Sequence, residues 1–174
     1  GNAHNIWINQ ESSFAYVLGS NLYLGGPVFI DISDPKNPQI LGGYPNERYT
    51  HDAQVVNYKG PDTKFQGKEI FFGSNSDGGE NNRIVILDVT DKSNPSKIST
   101  IDYSGAGYTH QGVLSEDHRY FFLGDELDEL EFGLKTQTRI FDFSSLKEPS
   151  LHFKYFSNFD AIDHNGYIVG EYFF

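Results

Sequence analysis

Four of the six histidines in this sequence recur at similar intervals, and each is followed directly by an amide or a carboxylate side chain. The histidines are His4, His51, His110 and His164, and the residues after them are Asn5, Asp52, Gln111 and Asn165. Neutral imidazole is the commonest side-chain ligand for metal ions in proteins. We therefore expect a repeated fold to bring the rings to equivalent positions, where one or two of them could bind a metal together with nearby carboxylates.

Two interpretations of the repeated histidine stay open at this stage. In the first, each ring hydrogen-bonds the backbone of a neighbouring repeat and only holds adjacent repeats together. In the second, the rings are metal ligands, although Zn²⁺ needs nitrogen atoms at about 2.0–2.1 Å and a wide ring of residues cannot bring every member that close. Because side chains alternate along a strand, we also expect each histidine and the residue after it to face opposite ways.

Oxygen-bearing side chains are concentrated in two loops that should lie on the same face as the histidines. One loop contains Asn75, Asp77 and Glu80, and the other contains Asp125, Glu126, Asp128 and Glu129. Since Ca²⁺ binds several carboxylate and amide oxygens, Asn75 and Asp77 form a candidate calcium loop, although their spacing is not that of an EF-hand. The candidate ligands for a divalent metal at the shared rim are His51, Asp52, His110, Asp125, Glu126, Asp163 and His164.

A motif that occurs three times predicts the elements that position these residues. The segments VFIDISDPKNP, VILDVTDKSNP and RIFDFSSLKEP span 28–38, 85–95 and 139–149, and each has a proline seven positions after an aspartate. Asp, Ser and Thr side chains favour turns, and proline suits the first residue of a strand, so each copy predicts a β-hairpin. The strand that opens at each histidine and the strand after it complete units of four short strands, and no window has the pattern of a helix.

Repeated units of four antiparallel strands are typical of a β-propeller. We predict an all-β chain with about three and a half blades, at 4–46, 47–104, 105–159 and an incomplete fourth at 160–174. Because a propeller usually needs at least four blades to close, we expect a fragment whose partners include the remaining blades of a longer chain or assembly. An open β-sandwich or a solenoid of three sheets is the alternative fold.

Composition narrows the range of partners. The 174 residues include 13 basic and 24 acidic side chains, for a net charge of −11, and no cysteine. Proteins that neutralise phosphates need the opposite charge, which argues against nucleic acid and anionic membrane surfaces as partners, whereas bound cations are favoured. Thiolate metal sites are excluded, no apolar run is long enough to predict a membrane span, and the HExxH and GxSxG motifs are absent.

The chain also resembles a known family. The runs THDAQ, NYKGPDTKFQGKEI, YTHQG, GDELDEL and AIDHN, in this order, resemble bacterial proteins of the choice-of-anchor B family, and the blade pattern resembles the LVIVD repeat. The resemblance covers essentially the whole chain. It implies a propeller that is secreted or attached to the cell surface, within a longer chain, but it implies no reaction because the family has no established activity.

Two functions are consistent with these observations. The first is an extracellular or cell-surface module with a binding or structural role, which engages a protein or polysaccharide partner and holds Ca²⁺ or another divalent metal at the channel rim. The alternative is a metal-dependent enzyme with its site at the mouth of the central channel, where His51 and His110 are the first candidate ligands and Asp52 or Glu126 supports them. We favour the first function, because the repeat alone accounts for the histidines.

Overall fold

The protein folds as three four-stranded antiparallel sheets followed by a two-stranded hairpin, in a computed structural model that describes residues 2–77 and 79–174. The first sheet contains β1 (Asn5–Asn9), β2 (Phe14–Leu18), β3 (Val28–Asp31) and β4 (Gln39–Gly43). The second sheet contains β5 (Thr50–Asn57), β6 (Glu69–Asn75), β7 (Arg83–Asp88) and β8 (Ser96–Ile101). The third sheet contains β9 (Thr109–Leu114), β10 (Tyr120–Asp125), β11 (Gln137–Asp142) and β12 (Ser150–Phe156). The final hairpin contains β13 (Ile168–Val169) and β14 (Tyr172–Phe173).

This architecture confirms the predicted all-β, propeller-like fold of four-stranded antiparallel units. Within each large sheet the strands lie in chain order, so the first strand is at one edge and the fourth strand is at the other. The first strands β1, β5 and β9 contact one another in succession and form the inner side of the arrangement. None of the sheets that the described residues form closes on itself. The boundaries between blades given by the sequence stay a prediction.

Two short helical segments depart from the expectation that nothing is helical. The helix α1 covers Asp128–Phe132 and ends at Gly133, whose φ of 65° is the left-handed conformation that commonly ends a helix. A single 3₁₀ turn covers Tyr23–Gly25. Segments this short carry no periodic pattern that a sequence could reveal. No helix within 2–77 or 79–174 is long and apolar enough to cross a membrane.

The repeated aspartates build the turn between the third and fourth strands of each sheet. The Oδ1 atoms of Asp31, Asp88 and Asp142 accept a hydrogen bond from the backbone N–H two residues later, at 2.8, 3.1 and 2.8 Å. Such bonds from side chain to backbone favour a turn over a continued strand. One short motif therefore fixes the same hairpin three times.

The sheets pack face to face, and the second sheet carries the most buried strand. All seven residues of β6 are buried, because the second sheet has a neighbour on each face. Phe71 packs with Tyr16 of the first sheet. Phe72 stacks on Phe121 of β10 and on Phe143, the residue after β11, at centroid distances of 6.1 and 5.4 Å. This apolar packing fixes the spacing between the inner strands, and those strands carry the histidines.

Candidate functional site

Four imidazoles form a continuous arc at one end of the inner strands. Neighbouring ring centroids are 3.9 Å apart for His4 and His51, 4.3 Å for His51 and His110, and 4.2 Å for His110 and His164. The ring planes are tilted by 41°, 43° and 45° to one another along the arc. Because each ring comes from a different repeat unit, the packing between sheets sets the spacing of the arc.

Two of these rings are held by backbone carbonyl groups of the next unit. The Nδ1 atom of His51 lies 3.0 Å from the carbonyl oxygen of His110, and the Nδ1 atom of His110 lies 2.9 Å from the carbonyl oxygen of His164. Since a carbonyl oxygen can only accept, Nδ1 donates its proton and Nε2 carries the lone pair of the neutral ring. Such bonds are what the structural interpretation expects, and they also orient metal-ligating histidines, so the two interpretations are compatible.

A β-bulge at each of these two histidines changes the direction of the neighbouring side chains. The pairing of β5 with β6 skips from Thr50 to Asp52 and leaves His51 as the extra residue, and the pairing of β9 with β10 leaves out His110 in the same way. A bulge sets two residues opposite one and redirects their side chains. The expectation that a histidine and its follower face opposite ways is therefore wrong for His51 and Asp52, which line the same cavity.

The arc opens into a cavity of about 370 Å³ at this end of the inner strands, which we call the mouth, and only polar residues line it. The lining residues are His4, Asn5, His51, Asp52, His110, Glu126, His164 and Asn165. A further cavity of about 460 Å³ extends along the inner strands and shares Asn5, Asp52 and Asn165 with the first. The mouth thus offers imidazole, amide and carboxylate groups to a polar ligand.

One group in this cavity could hold a metal ion. The potential ligand atoms of His110, Glu126 and His164 all lie within 4.8 Å of one another, and His110 Nε2 is 3.6 Å from Glu126 Oε2. Ligands that hold Zn²⁺ tetrahedrally at about 2.0–2.1 Å are roughly 3.3 Å apart, so a small inward movement would complete a site. Of the metal ligands suggested by the sequence, these three could hold a metal together.

Burial keeps the imidazoles of His51 and His110 uncharged near neutral pH. Desolvation lowers the pKa of the His51 imidazole to about 4, and the nearby His110 ring acts in the same direction. Desolvation also lowers the pKa of His110, against the opposing charge of Glu126. Because the rings of His51 and His110 stay neutral, their Nε2 lone pairs are available to a metal or a proton. Desolvation acts in the opposite direction on the carboxyl group of Asp52, whose pKa is raised.

Two other candidates lie near this group but differ in their surroundings. Asp125 is fully buried, and its carboxylate accepts hydrogen bonds from the Tyr103 hydroxyl at 2.7 Å and from the backbone N–H groups of Gly107 and Tyr108 at 3.1 and 2.7 Å. Both carboxylate oxygens of Asp163 are shielded from solvent and have no hydrogen-bond partner in the described structure. The role of either residue as a metal ligand stays a prediction.

The residues of the candidate calcium loop are occupied by other partners. Asn75 is fully buried, and its Oδ1 accepts a hydrogen bond from the Thr50 hydroxyl while its Nδ2 donates to the carbonyl of Glu47. Asp77 is exposed, and its carboxylate accepts a hydrogen bond from the Asn81 amide. The structure does not bring Asn75 and Asp77 together as free oxygen ligands, and calcium binding by this loop stays a prediction.

Two acids that the sequence did not place among the rim ligands are buried at the start of α1. Asp128 and Glu129 belong to an acidic run of the kind that is usually solvated, yet Asp128 pairs with Arg139 at 2.7 Å, with both side chains fully buried. The signal that could have revealed this pair is in the repeat. Arg139 stands where the other two copies of the motif have Val28 and Val85, so a charged residue occupies a core position.

No protein-family model and no curated protein matches the chain. Among solved structures, a candidate 6-phosphogluconolactonase from Bacteroides fragilis is similar, with a TM-score of 0.68 and 15% identity over 99% of this chain and 46% of that one. A candidate 6-phosphogluconolactonase from Bacteroides uniformis has a TM-score of 0.63 and 15% identity over 97% of this chain and 45% of that one. At this identity the similarity shows the fold alone, and the chain spans less than half the length of both structures.

The comparisons correct two predictions. The assignment to the choice-of-anchor B family and its LVIVD repeat is wrong: no family model matches, and the similar structures carry the name of a different group. The blade pattern fixes the same hairpin in each of the three large sheets, so it identifies an architecture rather than a family. The preferred function, a non-enzymatic binding or structural module, is also wrong, because it conflicts with the enzyme names of the similar structures. The extracellular location rested on the rejected family and stays untested.

Proposed function

We propose that the chain carries a metal-dependent hydrolytic site at the channel mouth, where His110, Glu126 and His164 hold a divalent transition metal such as Zn²⁺. The observation that supports it most is the fixed tautomer of His110. Its Nδ1 donates to a carbonyl oxygen at 2.9 Å, so its Nε2 lone pair faces a carboxylate oxygen of Glu126 at 3.6 Å. Two facing acceptors need a proton or a cation between them, and two histidines with one glutamate are a donor set of catalytic zinc sites.

The reaction that we propose is the hydrolysis of a lactone, the class named by the two structures of similar fold. Water adds to the carbonyl carbon, the ring C–O bond breaks, and the proton that the water loses ends on the leaving alcohol oxygen. A metal bound at such a site polarises the carbonyl group and lowers the pKa of water. His110 and His164 would bind this metal, and the hydrogen bond from Nδ1 of His110 would keep its ring oriented.

Asp52 is the residue that we propose as the general base. Its carboxylate lines the same cavity as the three proposed ligands but is not one of them. Burial raises its pKa, which moves the carboxylate toward the range in which a base takes a proton from water efficiently. The bulge at His51 supports this role, because it directs Asp52 into the cavity.

The charge of the site favours an uncharged substrate over a phosphorylated one. The lining of the mouth includes the carboxylates of Asp52 and Glu126, and among the described residues no lysine or arginine lines it. A phosphate group placed there would meet like charges without a basic partner. We therefore propose that a lactone without a phosphate group is the better substrate, although the similar structures are named for a phosphorylated one.

A metal-binding experiment tests the site directly. The chain is freed of metal with a chelator and titrated with Zn²⁺ by calorimetry, and the hydrolysis of gluconolactone and of 6-phosphogluconolactone is then followed in a pH-stat. We expect one Zn²⁺ per chain, at least tenfold weaker binding for His110→Ala and for Glu126→Gln, and faster hydrolysis of gluconolactone.

The matched control is His152→Ala, which removes an exposed imidazole from β12, the edge strand of the third sheet opposite to β9. It should leave Zn²⁺ binding unchanged. The absence of stoichiometric Zn²⁺ binding in the unmodified chain would overturn the proposed function. Equal or faster turnover of the phosphorylated lactone would overturn the assignment of the substrate while leaving the metal site in place.

A further inference from the structure

The first sheet has an apolar outer face, on the side away from the second sheet. Phe29 packs toward the second sheet, so its neighbours Val28 and Ile30 point outward. Directly paired residues of antiparallel strands share a face. The register therefore places these apolar side chains on the outer face: Ile6, Ile8, Ala15, Val17, Val28, Ile30 and Ile40. The members on the two edge strands, Ile6, Ile8 and Ile40, are exposed.

The third sheet also has an apolar outer face, and the final hairpin covers only part of it. Phe141 packs toward the second sheet, so Ile140 points outward. The register extends this position into a row across all four strands: Val113, Phe122, Ile140 and Phe153. Phe173 of the hairpin stacks on Phe122 at a centroid distance of 5.2 Å, whereas Phe153 stays 55% exposed. We refer to the outer faces of the first and third sheets as the two end faces.

Both end faces have the form of a surface that receives another sheet. A depression of about 300 Å³ on the first sheet and one of about 330 Å³ on the third sheet are lined mostly by apolar side chains. Monomeric proteins rarely expose a contiguous apolar patch of more than a few hundred Å². We therefore expect each end face to be covered by a partner.

The repeated motif shows that the two end faces are of opposite type. Ile86 of the second sheet packs toward the third sheet, and Ile140 occupies the same motif position on the outer face of the third sheet. Val85 packs toward the first sheet, and Val28 occupies its motif position on the outer face of the first sheet. One end face therefore corresponds to a face that packs on the next sheet, and the other to a face that packs on the preceding sheet. Within the stack, packing always joins one type to the other.

The length of the chain indicates what the partner is. The chain spans 46% and 45% of the two structures of similar fold, so two copies together would span about nine-tenths of either. Head-to-tail contacts between copies make a closed ring when the rotation between them closes. Two copies related by a two-fold axis along the channel would form two identical junctions, each between end faces of opposite type.

We propose that a second copy of this chain covers both end faces and closes the ring. The outer face of the first sheet in each copy packs against the third sheet and the final hairpin of the other copy. The inner strands of both copies then surround one channel, with the two arcs of imidazoles at the same end of it. The inference rests on the apolar faces and the repeat, and it does not depend on the proposed function.

Sedimentation velocity of the full 174-residue chain at micromolar concentration provides the test. We expect a dimer with twice the chain mass of 19.7 kDa. Ile40→Lys and Phe153→Asp each place a charge in a different end face, and each alone should weaken dimerisation at least a hundredfold, because the junction would bury that charge. Both side chains are more than half exposed in the single chain, so each variant should fold, which circular dichroism checks.

An equimolar mixture of the two variants distinguishes head-to-tail contact from contact between like faces. In a head-to-tail pair, one junction is unmodified and the other brings opposite charges together, so the mixture should dimerise again. Leu151→Asp is the matched control. Leu151 is an exposed apolar residue of the same strand as Phe153, but it pairs with Phe141 and so faces away from the end face, and this variant should remain a dimer.

Three results would overturn the inference: an unmodified chain that sediments as a monomer, open assemblies larger than a dimer, or a mixture of the two variants that stays monomeric. His110→Ala should lose Zn²⁺ binding and remain a dimer. The proposed metal site and the proposed ring can therefore fail separately.

Discussion

The same fold treats two sets of polar groups in different ways. The imidazoles of His51 and His110 lie at a repeated position, and each donates to a carbonyl group of the next unit. The carboxylate of Glu129 lies at a position without a counterpart in the repeat, and its shielded oxygens have no partner among the described residues. We refer to residues 126–136, which connect β10 to β11 and include α1, as the acidic connection.

The difference shows where a repeat fold can bury a polar group and still give it a hydrogen-bond partner. At His51 and His110 the repeated position meets the same backbone atom of the next unit, so one geometry satisfies both copies. The acidic connection occurs in one unit only, and its carboxylates must obtain partners from a basic side chain or a bound ion. A satisfied buried network makes a structure rigid, whereas a partly satisfied one marks a place where something else is bound or stability is lost.

We expect the largest difference between the two regions when Arg139, the basic partner of the acidic connection, is replaced. Replacing it by methionine keeps most of the side-chain volume but leaves the fully buried Asp128 carboxylate without its guanidinium. We expect Arg139→Met to lower the free energy of unfolding by about 3–5 kcal/mol, because it leaves a buried charge without its partner. Urea denaturation in the presence of a chelator measures the loss.

Arg119→Met is the matched control for this prediction. Arg119 also pairs with an aspartate, Asp142 at 3.0 Å, but its side chain is 45% exposed. An exposed pair contributes at most about 1 kcal/mol, so this variant should be close to the unmodified protein. If the two arginine variants lose similar free energies of unfolding, burial does not determine how much the Arg139–Asp128 pair contributes to stability.

The repeated position gives a smaller effect. In His51→Phe the ring is kept but the Nδ1–H donor to the carbonyl of His110 is lost. We expect the free energy of unfolding to fall by about 1–3 kcal/mol, since the carbonyl group keeps its desolvation and loses its partner. His51→Asn places an amide donor near the position of Nδ1 and should recover part of the loss. If His51→Phe is as stable as the control His152→Phe, the bonds between units contribute no stability.

The sequence predicted what the repeat controls and missed what depends on pairing between distant strands. The three Asp-containing turns were predictable because each bond joins residues two positions apart. The bulges at His51 and His110 were not, because a bulge is a property of the register between two strands. The burial of Asp128 also escaped prediction, since its partner Arg139 lies on another element and an acidic run looks solvated in isolation.

We expect the smallest change in stability at an imidazole that lies outside the repeated position. His118 has a φ of 56°, and its Nδ1 accepts a hydrogen bond from the backbone N–H of Lys59 at 3.2 Å. The side chain is half-buried, and desolvation followed by the charge of Lys59 lowers its pKa to about 4. A repeated position is therefore not required for an imidazole to be held neutral by its surroundings.

The sign of the pH effect follows from that pKa. The unfolded chain binds a proton at His118 near pH 6.5, whereas the folded chain resists protonation down to about pH 4. The free energy of unfolding should therefore fall as the pH is lowered from about 6.5 to about 4, and the contribution of His118 should be complete above that window. His118→Asn tolerates the left-handed backbone, retains an acceptor and does not titrate, so its loss of stability between about pH 7.5 and about pH 5 should be smaller than that of the unmodified protein. The difference in stability loss between His118→Asn and the unmodified protein should be smaller than the effect of His51→Phe. Urea midpoints at the two pH values measure this difference, and the exposed His152→Asn is the control. Identical pH dependence in the unmodified protein and His118→Asn would mean that the imidazole is protonated without resistance and that its bond to Lys59 does not hold it neutral.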